Sequence, residues 1–187
     1  MRPFFIVLVF CIASSLNAAD PSTVAVTNLI YGKGYSERYR ILADLDGDGH
    51  QDLILSQPIP LFGKMGGLWD VYLFRINDFN KIGSITAHPL AISLEADHDR
   101  NQKDGYFTRI WVYLRGSGSS GGLGYYRIGP NSIVDLQGIQ IYPGDGGSDL
   151  GRAIYRAVMD NSEIPFRLQK SVTDEHTGNV IWKDEKP

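Results

Sequence analysis

The sequence predicts a mainly β fold: one small domain of about eight short antiparallel strands, with one helix near the C-terminus. Three observations predict it. Apolar residues come in short runs rich in β-branched and aromatic side chains, strongest over residues 106–114. Glycine- and proline-bearing turns separate these runs. Only one stretch repeats its apolar residues with a helical period, so strands dominate the layers available for a core.

The chain opens on a targeting pattern. Arg2 supplies a positive n-region, residues 4–12 are unbroken apolar, and Ser14 and Ser15 lead to a small-residue exit at Ala18-Ala19. A signal peptide over residues 1–19 is expected, with secretion or periplasmic export, since the apolar run is too short to span a membrane. Cys11 is the single cysteine and leaves with it, so a core, and not disulfides, must hold residues 20–187 together. Without Arg2, 17 basic residues face 21 acidic ones, a net charge of −4. No basic footprint for nucleic acid exists, and no second apolar stretch reaches spanning length.

Along the expected single domain, Val24, Val26 and Leu29-Ile30 offer edge-strand material before the Gly32-Lys33-Gly34 turn. Strands follow at residues 39–43 and 53–55, the latter ended by Pro58 and Pro60, which cannot donate into a ladder. Further strands are read at 69–74, 81–86, 90–94 and 106–114. The glycine-rich stretch 116–124 reads as a hairpin tip returning into 125–128, and 133–142 as another strand. The helix is placed after Ser148 as N-cap, with Leu150, Ile154, Ala157 and Val158 on one face and Asn161 and Pro165 closing it. Residues 166–182 read as a last hairpin turning at Thr177-Gly178-Asn179.

Between the first two of these strands lies the most informative stretch, Asp44-Leu45-Asp46-Gly47-Asp48-Gly49-His50-Gln51-Asp52. Four carboxylates stand at positions one, three, five and nine. Like charges so close repel one another unless a cation sits among them. Oxygen ligands at this spacing suit a hard divalent ion, with Asp44, Asp46, Asp48 and Asp52 giving side-chain oxygens and His50 its backbone carbonyl. Ca²⁺ is the expected cofactor. Gly47 and Gly49 allow the tight curl. Position twelve is Leu55, where an EF-hand needs glutamate, and both flanks read as strand.

Strand, DxDGDGxxD loop, strand resembles the FG-GAP repeats of integrin-type propellers and the related VCBS-type repeats of secreted bacterial proteins. The likeness runs from Ala43 through Leu55 and on to Gly66-Gly67-Leu68-Trp69-Asp70-Val71-Tyr72-Leu73-Phe74, one repeat in all. It implies a Ca²⁺ site on the four aspartates and His50. A full propeller needs at least about four recurring blades, so this chain is expected to carry one blade-like unit in a small β domain. Residues 97–105 echo the loop, with Asp97, Asp99 and Asn101 at positions one, three and five, but Gln102 replaces the glycine and Gly105 stands at position nine. A second cation site and a polar turn both remain open there.

Other chemistry is thinly supported. His50, His88, His98 and His176 are scattered, and neither an HExxH nor a GxSxG is present. A small hydrolase would require an acidic pair such as Glu95 with Asp97, or Asp145 with Asp149. Trp69, Tyr72, Trp111, Tyr113, Tyr125 and Tyr126 form either core or a platform for sugar rings, as in a carbohydrate-binding module. The expected role is a secreted calcium-binding domain with a structural ion and a protein or glycan partner.

Overall fold

The computed structural model describes residues 37–63, 66–98, 105, 107–115, 121–141, 157, 160, 162–177 and 179–185. Ten strands are described: β1 (Tyr39–Ala43), β2 (Asp52–Ser56), β3 (Gly67–Arg75), β4 (Asp78–Ala87), β5 (Ile92–Ala96), β6 (Thr108–Arg115), β7 (Gly121–Ile128), β8 (Ile133–Ile141), β9 (Arg167–Thr173) and β10 (Val180–Asp184). All pairings are antiparallel. One sheet has the order β10-β9-β1-β2-β3-β4 and the other β5-β6-β7-β8.

Strand alternation builds the core. In β3, Trp69, Val71 and Leu73 are all fully buried, while Leu68 and Tyr72 point the other way. Ile41, Ile54, Trp69, Val71 and Ile85 of the larger sheet pack with Ile92, Leu94, Ile110, Val112 and Ile128 of the smaller one in one cluster. Each such side chain contributes about 1.5–3 kcal/mol by leaving water. Trp69 brings a polar atom into this core, and its Nε1–H donates to the Ala87 carbonyl at 2.9 Å. Leu42, Leu53, Leu55 and Phe79 form a second buried cluster with Trp182, Tyr72 and Phe74 against it.

β3 and β4 are joined by Ile76-Asn77 alone, both with positive φ (49° and 68°). That two-residue geometry matches the right-handed twist of a hairpin, although Asn-Gly is its usual sequence. β7 begins at Gly121, not at Tyr125 as the sequence predicts, and extends the hairpin with β6 to Arg115↔Gly121. A side chain at Gly121 would collide with the Tyr113 hydroxyl, so glycine here admits a bulky neighbour.

The mainly β class is as expected, but two finer expectations are corrected. The described strands number ten and not about eight: eight run from β1 to β8, and the C-terminal hairpin read over residues 166–182 forms as β9–β10 on the free side of β1. No helix of seven residues or more is described; among the described residues, helical structure comprises a single residue at Ala157 and the three-residue 3₁₀ turn Ile59–Leu61. The helix predicted over residues 148–161 falls, apart from Ala157 and Asp160, outside the described residues. So do residues 1–36, on which the expected signal peptide and first edge strand fall, and Asp99, Asn101, Gln102, Asp145 and Asp149. No described helix is long and apolar enough to cross a membrane.

Candidate metal centre

The carboxylate loop connects β1 to β2, whose register runs from Arg40↔Leu55 to Ala43↔Asp52. The loop therefore springs from the last pair of an antiparallel ladder. Its shape is set by its own side chains. Asp44 accepts from the backbone N–H of Gly47 at 2.8 Å (Oδ1) and of Gly49 at 3.1 Å (Oδ2). Asp46 Oδ1 accepts from Asp48 N–H at 3.1 Å, and Asp48 Oδ1 from His50 N–H at 2.8 Å. Such side-chain bonds to nearby backbone stabilise turns against strand. Gly47 and Gly49 have φ of 75° and 87°, in the region where a side chain is strained. A Cβ would meet nothing at either position, so backbone conformation rather than crowding selects glycine.

Ligand atoms of Asp44, Asp46 and Asp48 all lie within 4.8 Å of one another. Oxygens this close could share a single metal ion. The three differ in exposure, Asp44 and Asp46 being half-buried as residues and Asp48 open to solvent. Asp46 Oδ2 is buried and takes part in no hydrogen bond. It is faced instead by the guanidinium of Arg75, at the end of β3. Arg75 Nη1 contacts this oxygen and also lies 3.1 Å from Asp48 Oδ2. The backbone N–H of His50 is the main cause holding the Asp48 carboxyl below the usual range, ahead of the opposing effect of burial and the help of the His50 ring and Arg75.

Asp52, expected as a fourth carboxylate, points into the protein and is fully buried. Its Oδ2 accepts from Leu45 N–H at 2.7 Å and its Oδ1 from Phe74 N–H at 2.8 Å. It braces the loop against β3 and does not fall within the cluster of Asp44, Asp46 and Asp48. Burial pushes its pKa up to about 7, against the two backbone donors, with Asp46 and Asp48 adding to the rise. The imidazole of His50 is exposed, 3.2 Å from Asp48 Oδ1, and its ring leans on Phe74 with centroids 5.7 Å apart.

Two contacts tie the loop to the second sheet. The Leu45 side chain is buried in the shared core, and its carbonyl accepts from Thr108 Oγ1 at 2.5 Å. Neither Arg75 nor Thr108 was legible as part of the site. Arg75 stands 23 residues beyond the motif, at the end of the strand that the FG-GAP resemblance reaches, and Thr108 is further still.

The remaining candidates resolve differently. Asp97 follows β5, and its side chain, 1% exposed, pairs with Arg109 at 2.9 Å and Arg127 at 2.7 Å. Two guanidiniums on that carboxylate supply the positive charge a cation would bring. Glu95 Oε2 accepts from Trp111 Nε1 at 2.5 Å, so the Glu95–Asp97 pair is engaged in structural bonds. Trp69 is core. Trp111 and Tyr125 face each other across β6–β7 with ring centroids 4.8 Å apart, and Arg109 lies 5.4 Å from the Tyr125 ring. Compared with known protein families, with curated proteins and with solved structures, the chain matches none.

Proposed function

We propose that this protein is a secreted or periplasmic calcium-binding β domain in which the ion is structural and the biological role is to bind a protein or glycan partner. The observation that carries the reading is the convergence of Asp44, Asp46 and Asp48 on one loop, curled through two positive-φ glycines. Three carboxylates against one guanidinium leave an excess of negative charge that a divalent ion would neutralise. The resemblance to one FG-GAP or VCBS-type repeat supports calcium as the ion, and the targeting pattern at residues 1–19 supports export. Asp44, Asp46 and Asp48 would hold the ion, the His50 carbonyl would add an oxygen from the backbone, and Asp52 would act by orienting the loop.

The ion would supply charge compensation and rigidity, and no step of chemistry is assigned to it. Thermal unfolding of the purified protein in EDTA and in millimolar Ca²⁺ or Mg²⁺ tests this. Calcium at about a hundred times its dissociation constant raises stability by about 2.7 kcal/mol through mass action. The expected result is a rise in Tm with Ca²⁺ that exceeds the rise with Mg²⁺ and vanishes in Asp46→Ala and Asp48→Ala. Identical curves with and without Ca²⁺ would remove the reading.

A second reading rests on the Trp111–Tyr125 pair, half-buried on the face of the smaller sheet away from the core. Aromatic pairs of this kind can stack on sugar rings. It predicts retardation in polysaccharide affinity gels that Trp111→Ala abolishes; free migration across a glycan panel would dispose of it.

A further inference from the structure

We propose that Arg75 is a built-in competitor for the metal loop: its guanidinium occupies the place of the ion between Asp46 and Asp48, and the divalent ion must displace it to bind. The inference rests on the calcium reading and deepens it by assigning a residue that sets the affinity. Arg75 Nη1 contacts Asp46 Oδ2 and lies 3.1 Å from Asp48 Oδ2, bridging two of the three carboxylates that converge. Asp46 Oδ2 is buried and without a hydrogen bond, so a cation is the only partner it has among the described residues. An ion bound by that oxygen would stand within a few ångströms of Nη1, and two positive charges so close repel strongly.

The competitor is held in readiness by the fold. Arg75 is the last residue of β3, and the preceding Phe74 N–H is fixed by Asp52, which also fixes Leu45 in the loop. Backbone placement is thus common to loop and competitor, while the Arg75 side chain remains one-third exposed and has room to swing into water. Without metal, Arg75 relieves the repulsion between Asp46 and Asp48 and keeps the loop formed. With metal, the ion takes over that role.

Calorimetric titration of Ca²⁺ into wild type, Arg75→Gln and Lys81→Gln provides the test, with Tm measured in EDTA and in Ca²⁺. Lys81 pairs with Asp70 at 2.7 Å, away from the loop, so its loss reports the effect of net charge alone. The expected result is tighter binding by R75Q, by about 5- to 150-fold as for other pairs of coupled ligands. K81Q should change far less. R75Q should also melt below wild type in EDTA and recover in Ca²⁺. Equal or weaker Ca²⁺ binding by R75Q than by wild type overturns the competition while leaving the calcium site intact. Binding by R75Q alone would support it in the strongest form, whereas no binding by either protein removes the calcium reading and the competition together. If R75Q fails to fold, the arginine Nε–Hε resonances of wild type decide: the Arg75 signal shifts on addition of Ca²⁺, and an unmoved signal overturns the proposal.

Discussion

Asp52 is the residue whose position in the motif and whose work in the fold differ most. Its place as the ninth residue of the loop was legible, because four aspartates at set spacing stand out in any sequence. Its orientation was not, since spacing cannot say whether a carboxylate faces an ion or two backbone donors. Fully buried and accepting from both Leu45 and Phe74, it holds the loop to β3. Asn at this position offers one acceptor and turns an N–H toward the other donor. Asp52→Asn is therefore expected to cost about 1–3 kcal/mol, the usual penalty for an unsatisfied buried group, and Asp52→Ala more. Urea unfolding without metal measures this loss, and an unchanged midpoint would show that the brace is dispensable. The side chains of Asp44, Asp46 and Asp48, three of the four spaced aspartates, come together. The cation already facing them was missed, because Arg75 meets the loop through strand pairing and not through local sequence.

At the level of elements, β-branched and aromatic runs placed most strands well, including the strongest, β6. Pairing partners and irregularities escaped, since a register depends on both strands at once. In β3–β4 the ladder shifts between Val71 and Tyr72, with Gly83 and Lys81 as successive partners, so Ile82 is left as an extra residue. The turn of the same hairpin carries no glycine signal, and its β-branched Ile76 sits at φ 49° while almost fully exposed. A left-handed conformation costs an L-residue about 1–2 kcal/mol, and a water-facing isoleucine recovers little by packing. Replacing the turn by Asn-Gly, as Ile76→Asn with Asn77→Gly, should raise stability by about 1 kcal/mol or more. A rise in the denaturation midpoint at constant slope would bear this out; a fall would mean that Ile76 is held by contacts worth more than the strain.

For the molecule as a whole, two meanders of four strands follow each other in sequence, β1–β4 and β5–β8, and face each other across one core. This much follows from hydrophobic alternation and short connections. What the sequence concealed is that the tail returns to the beginning. β9 pairs with β1 from Tyr39↔Lys170 to Leu42↔Arg167, and Leu168 fills the core beside Ile41. Arg40 joins the same junction, with its Nε–H donating to Gln169 at 2.7 Å and its guanidinium 4.3 Å from the Trp182 ring. Removing residues 166–187 would bare the β1 edge and open a hole in the core. Such a truncation is expected to lose the cooperative transition and to aggregate; a soluble monomer with a sharp melt would refute this.

The return of β9 to β1 also orders events in time. On a ribosome, residues 39–43 emerge long before residues 167–173, and about 130 residues must be synthesised before the two can meet. Throughout that interval the six-stranded sheet lacks one of its inner pairings, and the strand that leads into the carboxylate loop has a bare edge. The chain can complete itself only once its last segment is free. A nascent chain stalled near residue 165 would thus be a target for chaperones, and release of the tail, not collapse of the first sheet, would be the step that commits the protein to its native state.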